Sequence, residues 1–276
     1  RRDPIPWYRA LREFAPVHVD PSVGVVLSRY DDVESVLRDE RFGVATPEAW
    51  RALFGDVASP SMQLLADNML LFIDPGQHTR VRRLVSKAFT PRRIEALRPR
   101  LEVAIDSMLD DLEGAGSFDL LVEVAEPFPI LTITELLGVP DVDRHLLHGW
   151  TVTISALNEL PLDFDILPAA GEAAQAFLDY CDDLLRERQS HLGDDLVSAL
   201  ITARDDGDQL THEELLAMVV LLLLAGHDTT MSLISTGIWL LLAHPDAAAL
   251  VRDDPTAAPG AVEEILRFMG PLQVAS

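Results

Sequence analysis

The sequence predicts a mainly α fold with a small β-sheet, and three observations carry that prediction. Thr211 to Ala243 is a long apolar run with no proline in it. Most of the remaining chain divides into helix-length segments bounded by Asp, Thr, Gly or Pro. Only Val17 to Ser28 reads as short paired strands.

At 276 residues and 48% apolar content the chain can bury a sizeable core, and we read it as a single domain over 1–276. A net charge of −23 excludes a general nucleic-acid binder or membrane-surface binder. The single cysteine, Cys181, excludes an internal disulfide and fits a reducing cytoplasm. Lys87 is the one lysine among many arginines, and the chain starts at Arg1, so the natural N-terminus is expected to lie upstream.

Pro6 to Ala15 predicts a short helix. Val17–Val19 and Val23–Ser28, with Asp20, Pro21 and Gly24 between or beside them, predict a hairpin. Asp31 is placed to cap a helix reaching about Glu40. Phe42 to Leu70 loses periodicity, with Gly43, Pro47, Gly55 and Pro60 scattered through it, and predicts a long irregular segment of the kind that is usually functional. From Asp74 a basic stretch begins. Helical spacing puts His78 and Arg82 four apart on one face, where both can donate to one anion. Arg80, Arg83 and Lys87 form a separate stripe, and with Arg92, Arg93, Arg98 and Arg100 they make a basic island in an acidic chain. The residues alone leave a solvated helix face and an anion site both open.

Arg98 to Leu112 continues as helix and stops at Gly114 and Gly116. Phe118 to Leu137 predicts a buried helix broken near Pro127 and Pro129, ending at Gly138. His145 and His148 stand three apart beside Trp150, with no carboxylate or cysteine at matching spacing, so no metal site is expected. Leu160 to Pro168 reads as a loop and Gly171 to Gln189 as an amphipathic helix in which Cys181 is a small core residue. Asp194 and Asp195 cap a short helix to about Ala203, and Asp205 to Asp208 is an acidic turn. Beyond Pro245, Asp246 to Arg252 is a helix, and Glu264 and Arg267 stand three apart on the next one.

The central run opens with a capping box, Thr211 and Glu214. A membrane span is excluded because His227, Asp228, Thr229 and Thr230 interrupt the apolar stretch at its middle, and an unpaired acid at mid-bilayer costs at least ~2.5 kcal/mol. Ala225 and Thr229 share a face that Leu221, Leu222 and Ser232 extend. The small Ala225–Gly226 pair leaves a shallow place for a flat ligand, and the Thr229 hydroxyl can return to the carbonyl of Ala225. Asp228 stands beside it. An alcohol and a carboxylate at the lip of a groove suit proton delivery.

HTRVRRLVSKAFTPRR from His78, AGHDTT in a long apolar helix, and EEILR around Glu264 resemble, in that order along the chain, three motifs of the cytochromes P450. The resemblance covers essentially the whole chain and implies the cytochrome P450 fold, cut off after the Glu-x-x-Arg helix and incomplete at both ends. It implies haem b, with His78 and Arg82 on the propionates and Ala225, Gly226 and Leu272 lining the cofactor pocket. It implies that Asp228 and Thr229 deliver protons during oxygen activation, that Glu264 and Arg267 form a buried structural ion pair, and that Arg80, Arg83 and Lys87 dock a ferredoxin. The activity implied is a soluble bacterial monooxygenase inserting one oxygen atom from O2 into a small hydrophobic molecule, with electrons coming from NAD(P)H through ferredoxin reductase and ferredoxin. The segment from Phe42 to Leu70 corresponds to the family's substrate cover. The family's thiolate cysteine is expected beyond Ser276, so no residue here is assigned to the metal and this chain alone is expected to bind haem weakly. A second class stays open: a haem-free relative that stabilises a partner enzyme such as a glycosyltransferase.

Overall fold

The computed structural model describes residues 4–20, 24–39, 41–43, 51, 58–158 and 164–272. Expectations for Pro21, Val23, Glu40, Pro47, Gly55 and Leu160 lie outside the described residues. The architecture is helical with one two-stranded sheet.

Helix α1 (Ile5–Phe14) leads into β1 (Val17–Asp20), which pairs antiparallel with β2 (Gly24–Leu27), Val17 opposite Leu27 and Asp20 opposite Gly24. Helix α2 (Tyr30–Arg38) begins earlier than Asp31: Arg29 is the N-cap residue, and Asp31 and Asp32 sit in the first turn, where their charge favours the positive end of the helix. The expected irregular segment up to Leu70 contains a helix, α3 (Pro60–Asn68). Its cap, Ser59, accepts from the Met62 amide, and Met62, Leu65 and Ala66 are buried. The helix has little amphipathic contrast, because Ser61 is buried too and donates to the Gly171 carbonyl across the core.

Helix α4 (Pro75–Ala88) is capped by Asp74, which accepts from Gln77, and α5 (Pro91–Leu112) by Thr90. The second begins at Pro91, runs through the stretch from Arg98 to Leu112 expected to continue as helix, and accommodates Pro99 within it. A π-helical turn, Leu121–Ala125, then precedes α6 (Pro127–Leu137), so the break falls where the two prolines suggest. Gly138 ends α6 at φ 74°, and a Cβ there would sit 2.4 Å from Asp195 Oδ2, so glycine is required on both counts. Helices α7 (Arg144–Ser155), α8 (Leu167–Ser190) and α9 (Leu196–Thr202) follow, with Asp195 capping α9 on the Ser198 amide. Cys181 on α8 is fully buried beside Phe177, Leu184 and Leu185, the core position expected of it.

Helix α10 (His212–Ala243) is the axle, about 48 Å long at 1.5 Å per residue. Its length and composition would suffice to cross a bilayer, but every residue from Glu214 to Leu221 is buried against other helices of the chain. Helices α3, α6, α7 and α8 pack along it. The chain then turns into α11 (Pro245–Asp253) and α12 (Ala258–Phe268), the latter lying back on the far end of α10.

Candidate active site

The start of α10 is built like a lock. Thr211 accepts from the Glu214 amide while Glu214 Oε2 accepts from the Thr211 amide at 2.9 Å. Glu214 is nearly fully buried, and its other oxygen takes the Arg80 guanidinium and the Gln77 amide. Arg80 also reaches Asp208 at 3.1 Å, and Arg83 and Lys87 both pair with Asp205. The stripe expected on α4 is therefore real, and it faces the acidic turn before α10. That turn reverses at Asp206 (φ 50°) and Gly207 (φ 87°), aiming Asp205 and Asp208 at the stripe. Hydrogen bonds from Lys87 and from Arg80 hold the Asp205 and Asp208 carboxyls, respectively, below the usual range.

His78 is half-buried and Arg82 exposed on the neighbouring face of α4. Among the described residues neither side chain makes an ion pair or hydrogen bond. An imidazole and a guanidinium without an internal acceptor, in a chain of net charge −23, are suited to donate to an external anion.

Eleven residues beyond the lock, the character of α10 changes. Ala225 is exposed in the middle of the core helix, and Thr229 Oγ1 donates to its carbonyl at 2.6 Å. The helix nevertheless remains α from end to end. Gly226 does not open that face: a Cβ there would stand 3.1 Å from Ile133 Cγ1, so its missing side chain lets α6 approach.

Asp228 is half-buried and accepts from His227 Nδ1 at 2.8 Å. Burial raises its pKa, but hydrogen bonds from His227 and from Ser155 on α7, with the imidazoles of His227 and His148 nearby, outweigh burial and hold the carboxyl below its usual range. The result is a stable carboxylate at the alcohol's side. His227 has no exposed surface, and its ring stands edge-on to His148, centroids 5.2 Å apart. His148 Nε2 in turn meets Glu126 Oε1 at 2.7 Å. The carboxylate partner that sequence spacing did not supply for His148 comes from the connection before α6. Sequence reasoning missed Glu126, Ser155 and the part played by His227, the residue that breaks the apolar run just ahead of Asp228.

Two expectations shift. Glu264 and Arg267 form a two-point pair, 2.7 Å at each contact, but it is exposed on α12, not buried. Leu272, expected at the cofactor pocket, is exposed and lines a cavity of about 150 Å³ with Pro4, Ile5 and Tyr8 of the N-terminal segment.

The comparisons with known proteins bear on the family and the fold. The family model "Cytochrome P450" matches residues 160–265, from the approach to α8 into α12. Cytochrome P450 CYP107DY1 of Priestia megaterium is 37% identical over 99% of this chain and 69% of its own length. The chain belongs to the cytochrome P450 family. The P450 monooxygenase PikC of Streptomyces venezuelae is 40% identical over 99% of this chain and 64% of its own. Among solved structures, P450BioI, in complex with an acyl carrier protein carrying hexadec-9Z-enoic acid, superposes with a TM-score of 0.89 at 28% identity, over 97% of this chain and 68% of that one. The chain thus spans 64–69% of the length of these P450 relatives.

A P450 carries haem iron. The residues present fit the porphyrin part of that group: unpartnered His78 and Arg82 suit its carboxylates, and the exposed Ala225 face of α10 suits its flat apolar surface. They do not supply an axial thiolate, since burial pushes the Cys181 thiol far above its usual range on a different helix.

Proposed function

We propose that the protein is a haem-dependent monooxygenase that places one oxygen atom from O2 into a small hydrophobic substrate. The observation that carries this reading is the acid–alcohol pair of α10. Asp228 is kept ionised by His227 and Ser155, and Thr229 has its hydroxyl parked on the Ala225 carbonyl beside an open face.

Haem, when bound, supplies the redox chemistry at iron that reductively activates O2. The chain's own residues do the rest. His78 and Arg82 hold the propionates as charge-assisted donors. Asp228 takes up a proton and passes it on at Oδ, and Thr229 steers it once its hydroxyl leaves the Ala225 carbonyl. The apolar wall before Ala225 keeps bulk water from bringing protons by other routes. Electrons from NAD(P)H arrive through ferredoxin reductase and a ferredoxin. Arg83 and Lys87, each about half exposed although paired with Asp205, offer that acidic protein a surface, whereas Arg80 is committed to Glu214. A cytoplasmic setting suits such partners. The haem-free accessory role has no support among the relatives named above, and it leaves Asp228, Thr229, His78 and Arg82 without a task.

The test is Thr229→Ala in the haem-loaded full-length protein. More peroxide released per O2 consumed is the expected result, since protons are then delivered less selectively. An unchanged ratio removes Thr229 from the reaction.

A further inference from the structure

Three buried polar atoms at the junction of α7 and α10 have no hydrogen-bond partner: His148 Nδ1, Thr151 Oγ1 and His227 Nε2. Thr151 and His227 have no exposed surface at all. Leaving such groups unsatisfied is costly, so something polar is expected to meet them.

Their placement is systematic. His148, Thr151 and Ser155 recur at helical spacing on one face of α7. The first of them touches His227 edge-on and the last hydrogen-bonds Asp228, so Thr151 lies between two positions that bracket consecutive residues of α10.

The donor and acceptor arithmetic then closes on one molecule. A carboxylate only accepts, so the proton shared with Asp228 sits on His227 Nδ1 and the proton shared with Glu126 sits on His148 Nε2. In the neutral rings this leaves His227 Nε2 and His148 Nδ1 as acceptors, while the Thr151 hydroxyl is a donor in search of an acceptor. A water donating to both nitrogens and accepting from Thr151 satisfies all three, and three hydrogen bonds are the usual number for a buried water.

We propose that a water bound between His148, Thr151 and His227 completes a proton path from Glu126 and His148, at the protein surface, to Asp228. The path rests on the role given to Asp228 above. A turn of the part-exposed His148 ring lets Nδ1 take a proton from solvent. Turned back, the doubly protonated ring donates from Nε2 to Glu126 and from Nδ1 to the water, which takes that proton and gives one of its own to His227 Nε2. The Nδ1 proton of His227 passes to Asp228, and His148 is left neutral with its proton on Nε2. Each bond to hydrogen that breaks is matched by one that forms, and His227 ends in its other tautomer until the reverse shift or a ring turn restores it. Fully buried His227 is thereby the step that proton traffic has to pass through. Glu126 and His148, each about one third exposed, face solvent at the outer end.

The experiment uses the full-length, haem-loaded protein and O2 itself as the probe. Uncoupled reduction of O2 to hydrogen peroxide takes two electrons, supplied by a ferredoxin and its reductase, and two protons, and needs no substrate. A high-resolution crystal structure is expected to show one water within hydrogen-bond distance of all three atoms. Thr151→Val and His148→Leu are each expected to slow peroxide formation by about tenfold and to raise its solvent isotope effect, on the scale of a lost proton-transfer group. In ¹⁵N spectra of labelled histidines, Thr151→Val is expected to move the His227 Nε2 resonance, a signal that a purely packing role would leave in place. No water at the site, or an unmoved Nε2 resonance, overturns the proposal. Unchanged rates in both variants, with Asp228→Asn slowed, overturn the path but leave Asp228 as proton donor. An unchanged Asp228→Asn overturns both.

Discussion

The two halves of α10 are made for different purposes. From Glu214 to Leu223 the helix is almost wholly buried, and its one acid is locked by Thr211, Gln77 and Arg80. From Ala225 onward the helix is half open, and its polar groups point at one another and at α7 in short chains: Thr229 to Ala225, His227 to Asp228, Ser155 to Asp228. Polar groups in the first half are saturated, whereas those in the second keep unused capacity. Saturation gives stability and spare capacity gives chemistry, and one unbroken helix carries both.

Mutations ought to separate the halves. Leu223→Ala, at a position with no exposed surface, is expected to cost about 3 kcal/mol and to lower the urea midpoint in proportion. Thr229→Ala should leave that midpoint nearly unchanged while altering peroxide release; equal losses in the two variants would erase the distinction. Glu214→Gln comes next. It strips the charge from a buried carboxylate that serves a cap and an arginine, at about 2 kcal/mol, discounted because Arg80 is partly exposed and keeps Asp208.

The acidic turn offers a pH test. The Asp205 and Asp208 carboxyls are lowered in the folded state, so the stability they contribute is present above the ordinary aspartate value of 3.8 and is lost as pH falls through their lowered values. Lys87→Met should flatten the acid limb of the denaturation curve between those values; an identical limb would mean that the clasp adds nothing. The smallest effect is assigned to Arg267→Ala. Its pair with Glu264 is exposed on α12, and the midpoint is expected not to move measurably.

What the sequence made legible follows the range of each interaction. The capping box at Thr211, the Asp195 cap, the stop at Gly138 and the back-bond of Thr229 all join residues three to five apart, and each stands where spacing put it. The hairpin register follows from its short loop in the same way. Long-range pairings were hidden. No periodicity announces that Asp205 meets Lys87 or that Glu126 meets His148, because those carboxylates arrive on other elements. Helix α3 escaped because its buried face includes Ser61 and Ala66 while Leu64 lies off that face, which weakens the amphipathic contrast that reading by period needs. The start of α2 was misplaced by a tempting aspartate, and Ala225–Gly226 was read as one opening when it is two surfaces, one bare and one filled by Ile133.

That last contact sets the angular phase of the axle. Successive residues of an α-helix differ by about 100° around its axis, so a turn of α10 by that angle would exchange the bare face for the filled one. At position 226 a Cβ would stand 3.1 Å from Ile133 Cγ1, tighter than ordinary contact, so the glycine lets α6 seat closely at this one point of the turn. The glycine therefore works as an index notch. It touches neither acid nor alcohol, yet it fixes the bearing on which Thr229 points outward and Asp228 points toward α7.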